Sequence, residues 1–346
     1  MRVVHWLQSA VAAASLTGAA SAQILASAEG PEPTPVQVGE PVAATGPITE
    51  AAATYATFQT KVSDVQEAPL SGPEHLEDTL TEFGGQHPQR LSEGWISYSA
   101  LVAAQSEEFA AAVRDIDAFY GRDRVTLGLR NDVGYARTLE GGDDALQAAL
   151  SANASDSRRI SSAAAFVKDQ ARTLQHAPWA NKRIHDGSQR AEKLQLAAQT
   201  GQPMATAALS LFSAADIDSA LINAGRPGAS SLWDSVAMLA AEAPMATVAS
   251  FTPSFGAKTY EVNPKRKATA DRIVTLAAYH VLDAAADNPT EVKVAMQDRP
   301  TSQCIDWSQM QLRACVSAAS SRYDLSYCLS EHAIADTGAC FGDVAH

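Results

Sequence analysis

Residues 304–340 read CIDWSQMQLRACVSAASSRYDLSYCLSEHAIADTGAC and contain every cysteine of the 346-residue chain. The inner pair, Cys315 and Cys328, is centred between residues 321 and 322, and the outer pair, Cys304 and Cys340, is centred on Arg322. Two antiparallel helices joined by a turn bring cysteines mirrored in this way opposite each other. The stretch therefore predicts a helical hairpin closed by two nested disulfides, Cys304–Cys340 and Cys315–Cys328. Loop closure alone predicts stabilisation of about 4 kcal/mol from the outer disulfide and about 3 kcal/mol from the inner one.

The hairpin is expected to occupy residues 300–346, with its turn at residues 320–323. Asp306 is placed to cap the first helix and Asp324 the second, because Asp is a preferred N-cap residue. A zinc site is a weaker interpretation, since its cysteines usually come in closely spaced pairs, whereas ten to twelve residues separate consecutive cysteines of this chain. The C-x-x-C-H motif of c-type haem attachment is absent. We therefore predict no metal and no cofactor.

The first 22 residues have the features of a secretory signal peptide. Arg2 supplies a positive charge, residues 3–16 form a short apolar run, and residues 20–22, Ala-Ser-Ala, form a small-residue cleavage site. An N-terminal helix or a membrane anchor is the alternative, but polar residues interrupt the run and make it short for a bilayer. We expect cleavage near Ala22 and a periplasmic or extracellular location, where disulfides form readily. No later segment is apolar enough to predict a membrane span.

Composition and charge restrict the classes of partner. With 46% hydrophobic and 19% charged residues, the chain has the composition of a globular protein. Its formal net charge of −13 argues against nucleic acid as the main partner, because phosphate binding depends on Lys and Arg. A polymer or a protein of the cell envelope is the expected kind of partner, and the oligomeric state is left open.

Two segments are predicted between the signal peptide and the main body. Residues 23–47 are rich in proline and indicate a disordered linker. Residues 48–91 are expected to form an N-terminal helix followed by an acidic loop that begins near Pro69. The helix is predicted from apolar residues at alternating intervals of three and four, which can pack on the main domain or on a second copy of the chain. These residues are Ile48, Ala51, Tyr55, Phe58, Val62 and Val65.

Residues 92–290 are predicted to form a helical body. Nearly every segment has helical periodicity, and alanine is frequent. Residues 156–175 give the clearest single helix, and residues 204–222 a further one. Residues 122–130 are the exception, because their alternating apolar residues favour either a short strand or a helical turn. The predicted fold class is mainly α: an irregular multi-helix bundle with the C-terminal disulfide-stapled hairpin.

Established catalytic motifs are missing from the sequence. It contains no G-x-S-x-G, S-x-x-K, H-E-x-x-H, P-loop or G-x-G-x-x-G motif. A glycosidase requires only two carboxylates at a suitable separation, which a sequence does not reveal. Glu93, next to Gly94 and Trp95 at a predicted helix start, is the acid to consider first. A Glu in the first turn that favours the helix dipole is the simpler interpretation.

A basic segment at residues 156–193 stands out in this acidic chain, with eight basic residues against four acidic ones. An exposed aromatic side chain among basic residues and histidines is suited to bind a glycan or an anionic envelope polymer. The alternative is that the basic residues form the solvated face of a helix while Trp179 packs into the body. The candidate binding residues are Arg172, His176, Trp179, Arg183 and His185.

Two functions are compatible with these features. The first is an exported helical protein with a binding or scaffolding role in the bacterial cell envelope. The second is a cell-wall glycan hydrolase that uses a pair of carboxylates. Whether the protein is an enzyme is left open by the sequence.

Overall fold

Helices make up most of the chain in the computed structural model, which describes residues 46–234 and 259–345. The predicted signal peptide, nearly all of the predicted linker at residues 23–47, and residues 235–258 lie outside the described residues. Residues 43–346 belong to one compact unit, which contains every described element. The described residues form no β-strand, and the predicted mainly-α fold is confirmed.

The helices follow one another closely along the chain. They are α1 (Pro47–Glu67), α2 (Pro73–Gly84), α3 (Pro88–Ala103), α4 (Glu107–Tyr120), α5 (Arg122–Asn131), α6 (Gly142–Leu174), α7 (Gly187–Thr200), α8 (Thr206–Leu211), α9 (Ile217–Ala224), α10 (Lys267–Val281), α11 (Pro289–Met296), α12 (Arg299–Ala318), α13 (Arg322–Cys328) and α14 (Asp336–Gly342). Short 3₁₀ turns lie at Ala136–Thr138 and Pro264–Arg266, and a π-helix at Leu329–Ala335 joins α13 to α14.

Helix α1 packs along α3 and is part of the core. Five of the six residues predicted to form its apolar seam are buried, and Ala51 is partly buried against the core. The two helices approach closely at Gly94, where a Cβ atom would lie 2.8 Å from both the Ala51 carbonyl oxygen and the Tyr55 nitrogen. The seam therefore packs on the main domain. The close approach also fixes the position of Tyr55, whose hydroxyl donates to Asp156.

Both predicted disulfides are present. Cys304–Cys340 has a Cα–Cα distance of 5.6 Å, and Cys315–Cys328 has one of 5.7 Å. The hairpin also contributes to the central core, since Phe341 contacts the rings of Tyr55, Phe58 and Trp95 at centroid distances of 5.3, 6.0 and 5.8 Å. The stapled segment is therefore an integral part of the bundle.

The hairpin helices begin at other residues than predicted. α12 begins at Arg299, and its cap is Asp298, which accepts a hydrogen bond from the Thr301 amide at 3.1 Å. The prediction of Asp306 as the cap is wrong, because that residue lies two turns inside the helix. In α13 the cap is Ser321, and Asp324 completes a capping box at the third helical position. The turn lies at residues 319–321, so only its first two predicted residues are outside the helices, while Arg322 and Tyr323 belong to α13.

One local prediction is wrong, and for a second segment the structure decides between the two alternatives left open. The acidic loop at residues 68–91 contains helix α2, in which Leu76, Leu80 and Phe83 are buried at helical spacing. Pro73 occupies the first turn of this helix, where proline is tolerated. Residues 122–130 form helix α5 and no strand, because Val125 and Leu129, four residues apart, face the core while Leu127 is exposed.

Further boundaries differ from the predicted ones. Helix α6 extends 33 residues from Gly142, so the predicted helix at 156–175 is only its second half. The predicted helix at 204–222 is divided into α8 and α9. Within the part of the chain that the structure describes, every helix is too short or too polar to cross a bilayer.

Candidate functional site

A buried carboxylate, Asp156, lies at the meeting point of α1, α6 and the segment 229–234. Its side chain accepts three hydrogen bonds: from Tyr55 Oη at 3.1 Å, from Ser231 Oγ at 2.6 Å and from Trp233 Nε1 at 2.9 Å. The residue is 0% exposed. Since buried polar groups are costly unless hydrogen-bonded, this set of donors is what allows a carboxylate at this place.

Arg159 connects the same network to the surface. One turn along α6 from Asp156, its guanidinium pairs with Asp234 at 2.9 Å and donates to Gln59 Oε1 at 2.7 Å. Gln59 in turn donates to Tyr55 Oη at 2.7 Å. Spacings of three and four residues place Asp156 and Arg159 on one face of α6, and Tyr55 and Gln59 on one face of α1. The network therefore joins two helices to the segment 229–234.

Burial dominates the ionisation of this network. Desolvation raises the pKa of Asp156 from 3.8 to about 6, although the hydrogen bonds from Ser231, Trp233 and Tyr55 and the positive charge of Arg159 act in the opposite direction. Burial also raises the pKa of Tyr55 and of Tyr98 well above the usual value, and the nearby Asp156 charge adds to both effects. Both phenols are therefore neutral at physiological pH, and Tyr55 donates to Asp156.

A polar cleft of about 490 Å³ lies directly above this network. We call it the serine cleft. Its lining comes from α1, from the middle of α6 and from residues 228–234, and the network beneath fixes these three elements relative to one another. The side chains that line it include Gln66, Ser155, Arg158, Ser162, Ser230 and Asp234.

The polar groups of the serine cleft include guanidinium, hydroxyl and amide groups together with the carboxylate of Asp234. Arg158 is exposed and makes no ion pair with another residue in the described part of the chain, whereas its neighbour Arg159 is buried and paired with Asp234. The hydroxyls of Ser162 and Ser230 are also exposed. An exposed guanidinium among hydroxyls and an amide is suited to a ligand that carries hydroxyl groups and a negative charge.

The predicted basic site has a different environment. Trp179 is half-buried and packs against the core, while Arg172, His176, Arg183 and His185 are exposed. Arg172 pairs with Asp169 at 2.7 Å, and Arg183 forms an isolated β-bridge with Ser321. None of the five residues lines the serine cleft. The packing of Trp179 agrees with the simpler interpretation of this segment as a solvated face.

Glu93 lies in the second turn of α3, because the helix begins at Pro88 and not at residue 92. Its carboxylate accepts a hydrogen bond from Gln89 Nε2 at 2.8 Å. It does not line the serine cleft. Its position therefore does not favour a catalytic role.

Sequence reasoning missed Asp156 as a site residue, although a signal was present. Asp156 and Arg159 lie on the same helical face as Ile160 and Ala163, both of which are buried. Charged residues within an apolar stripe indicate a buried ion or hydrogen-bond network. Their partners Tyr55 and Trp233 lie 101 and 77 residues away along the chain, which no local pattern reveals.

Comparisons with models of protein families, with curated proteins and with solved structures found no match to this chain. Among the described residues, no group of three or more His, Cys, Asp or Glu side chains is arranged to hold a metal ion.

Proposed function

We propose that this protein is an exported binding protein of the bacterial cell envelope, and that it holds a hydroxyl-rich, negatively charged glycan in the serine cleft. The observation that carries the proposal is an exposed Arg158 that forms no ion pair with the residues the structure describes and lies among serine hydroxyls, above a buried network that fixes the surrounding elements. Rigid support of this kind favours binding, because little ordering is required when the ligand arrives.

Export is supported by the two disulfides, which persist in oxidising compartments such as the periplasm. The signal peptide predicted from residues 1–22 agrees with that location. Peptidoglycan is then an available polymer with the required chemistry, since it carries many hydroxyls and free carboxylates. The cleft volume of about 490 Å³ lies within the range of small-ligand sites and suits a short section of such a chain.

Replacing Arg158 with alanine is expected to weaken binding of soluble peptidoglycan fragments about ten-fold or more, because a charge-assisted hydrogen bond to a carboxylate is lost. Titration calorimetry with purified disaccharide-peptides measures the effect, and co-sedimentation with insoluble peptidoglycan extends it to the polymer. Arg172→Ala is the matched control: it removes an exposed arginine from the same helix, α6, outside the cleft. An equal loss of affinity for the fragments in both variants, or a loss of affinity only in Arg172→Ala, would contradict the proposal.

A glycan hydrolase is the second candidate. It is favoured by the raised pKa of Asp156 together with the nearby carboxylate of Asp234, because glycosidases use one protonated and one ionised acid. Binding is the better-supported function, because Asp156 is fully buried and both its oxygens accept hydrogen bonds from the protein. A clearing band on a peptidoglycan zymogram that disappears in Asp234→Asn, but persists in Glu93→Gln, would reverse this preference.

A further inference from the structure

A second, smaller cleft lies between the start of α3, helix α7 and helix α12. Its volume is about 220 Å³. We call it the α7–α12 cleft. The polar side chains that line it are His87, Gln195, Gln199, Asp306, Gln309 and Arg313. At roughly 30 Å³ for each molecule in liquid water, the space corresponds to about seven waters, so it suits a ligand of amino-acid size.

Gln309 is the most informative residue of this cleft. It is 3% exposed, and its Nε2 donates to the carbonyl oxygen of Gln86. Its Oε1 is buried and has no hydrogen-bond partner among the described residues. Because buried side-chain oxygens nearly always have a donor, the unpartnered Oε1 in the lining of a cleft indicates a place for a donor from a ligand.

Asp306 and Arg313 lie on the same face of α12 as Gln309, at intervals of three and four residues. Neither charge forms an ion pair with any residue that the structure describes, although Arg313 is only half-exposed. Helical side chains lean towards the N-terminus, and Gln309 lies one turn before Arg313 in that direction. The cleft therefore presents an acceptor end, formed by Asp306 and Gln309 Oε1, and a donor end formed by Arg313.

We propose that the α7–α12 cleft binds a small zwitterion, namely an α-amino acid, with its ammonium group on Asp306 and Gln309 Oε1 and its carboxylate on Arg313. A neutral sugar would satisfy Gln309 but would leave both charges without compensation. This site is separate from the serine cleft, and the proposal does not depend on the function proposed for that cleft.

Titration calorimetry on the full chain with intact disulfides tests this proposal. The probes are L-alanine, D-alanine and L-glutamate. Two blocked analogues serve as comparisons: N-acetyl-L-alanine, which lacks the ammonium group, and L-alaninamide, which lacks the carboxylate. At least one of the three amino acids is expected to bind, and L-alanine or D-alanine to bind about ten-fold or more tightly than either blocked analogue, since each loses one charge-assisted contact.

Gln309→Met removes the unpartnered oxygen with little change in volume and is expected to weaken binding about ten-fold. Arg313→Gln is a second variant at a less buried position, which keeps the test valid if Gln309→Met folds poorly. Gln303→Ala is the control, because Gln303 is exposed on α12 and does not line the cleft. Absence of binding of every amino acid at millimolar concentration, or equal binding of the blocked analogues, would overturn the proposal.

Discussion

Replacing Cys304 and Cys340 together with alanine is expected to lower the free energy of unfolding by about 4 kcal/mol. The outer disulfide spans a sequence separation of 36 residues, and its loss releases the end of the chain in the unfolded state. The loss also affects the native core, because Cys340 is 1% exposed and its neighbour Phe341 packs against Tyr55 and Trp95. Urea denaturation, followed by far-UV circular dichroism, measures the change.

The inner pair provides the matched control. Cys315→Ala with Cys328→Ala opens a separation of only 13 residues and is expected to cost about 3 kcal/mol. Cys328 is as buried as Cys340, so the loss of packing at one cysteine of each pair is similar. An inner-pair variant that is less stable than the outer-pair variant would show that loop closure does not determine the contributions of the two bridges.

Stability is also expected to depend on pH through Asp156. Between pH 3.8 and about 6 the folded carboxyl retains a proton that the unfolded chain has released, because burial raises its pKa. The folded state therefore binds more protons in this window, and the contribution of Asp156 to stability falls as the pH rises through it. At about 1.4 kcal/mol for each pKa unit, the fall is on the order of 3 kcal/mol.

Asp156→Asn isolates this contribution from that of all other carboxylates. The amide oxygen can still accept from Tyr55 and Trp233, while the amide nitrogen faces a hydroxyl, Ser231, that can accept. The free energy of unfolding of the wild type minus that of the variant should fall between about pH 4 and about pH 7. Ser231→Ala should extend the decrease in the free energy of unfolding to higher pH, because it removes a hydrogen-bond donor that lowers the pKa of Asp156. A difference that does not change with pH would contradict this interpretation.

The parts of the fold that depend on local pattern were predictable from the sequence. The cysteine spacing predicted both disulfides, since a hairpin is a local structure and its pairing follows from symmetry about one turn. The seam from Ile48 to Val65 predicted α1 for the same reason. Errors arose where one pattern fits two structures. A proline can end a segment or begin a helix, and Pro73 begins one. Val125 and Leu129 fit helical spacing as well as the alternation of a strand.

The candidate site was not predictable in this way, because its residues come from distant segments. The sequence indicated Asp156 only as the start of a helix, and it indicated its donor Tyr55 only as part of the apolar seam of α1. The cluster around Trp179 attracted attention because its residues are close in sequence. In the structure Trp179 packs against the core, which agrees with the simpler interpretation of that segment as a solvated face. Charged residues on an apolar helical face were the better signal.

The most direct test of the proposed binding site is hydrogen–deuterium exchange of the protein with and without soluble peptidoglycan fragments. Binding in the serine cleft predicts slower exchange in peptides that cover residues 155–162 and 228–234, and no change in those that cover residues 172–185. Protection confined to residues 172–185, or no protection at saturating ligand, would contradict the assignment of the serine cleft as the glycan site.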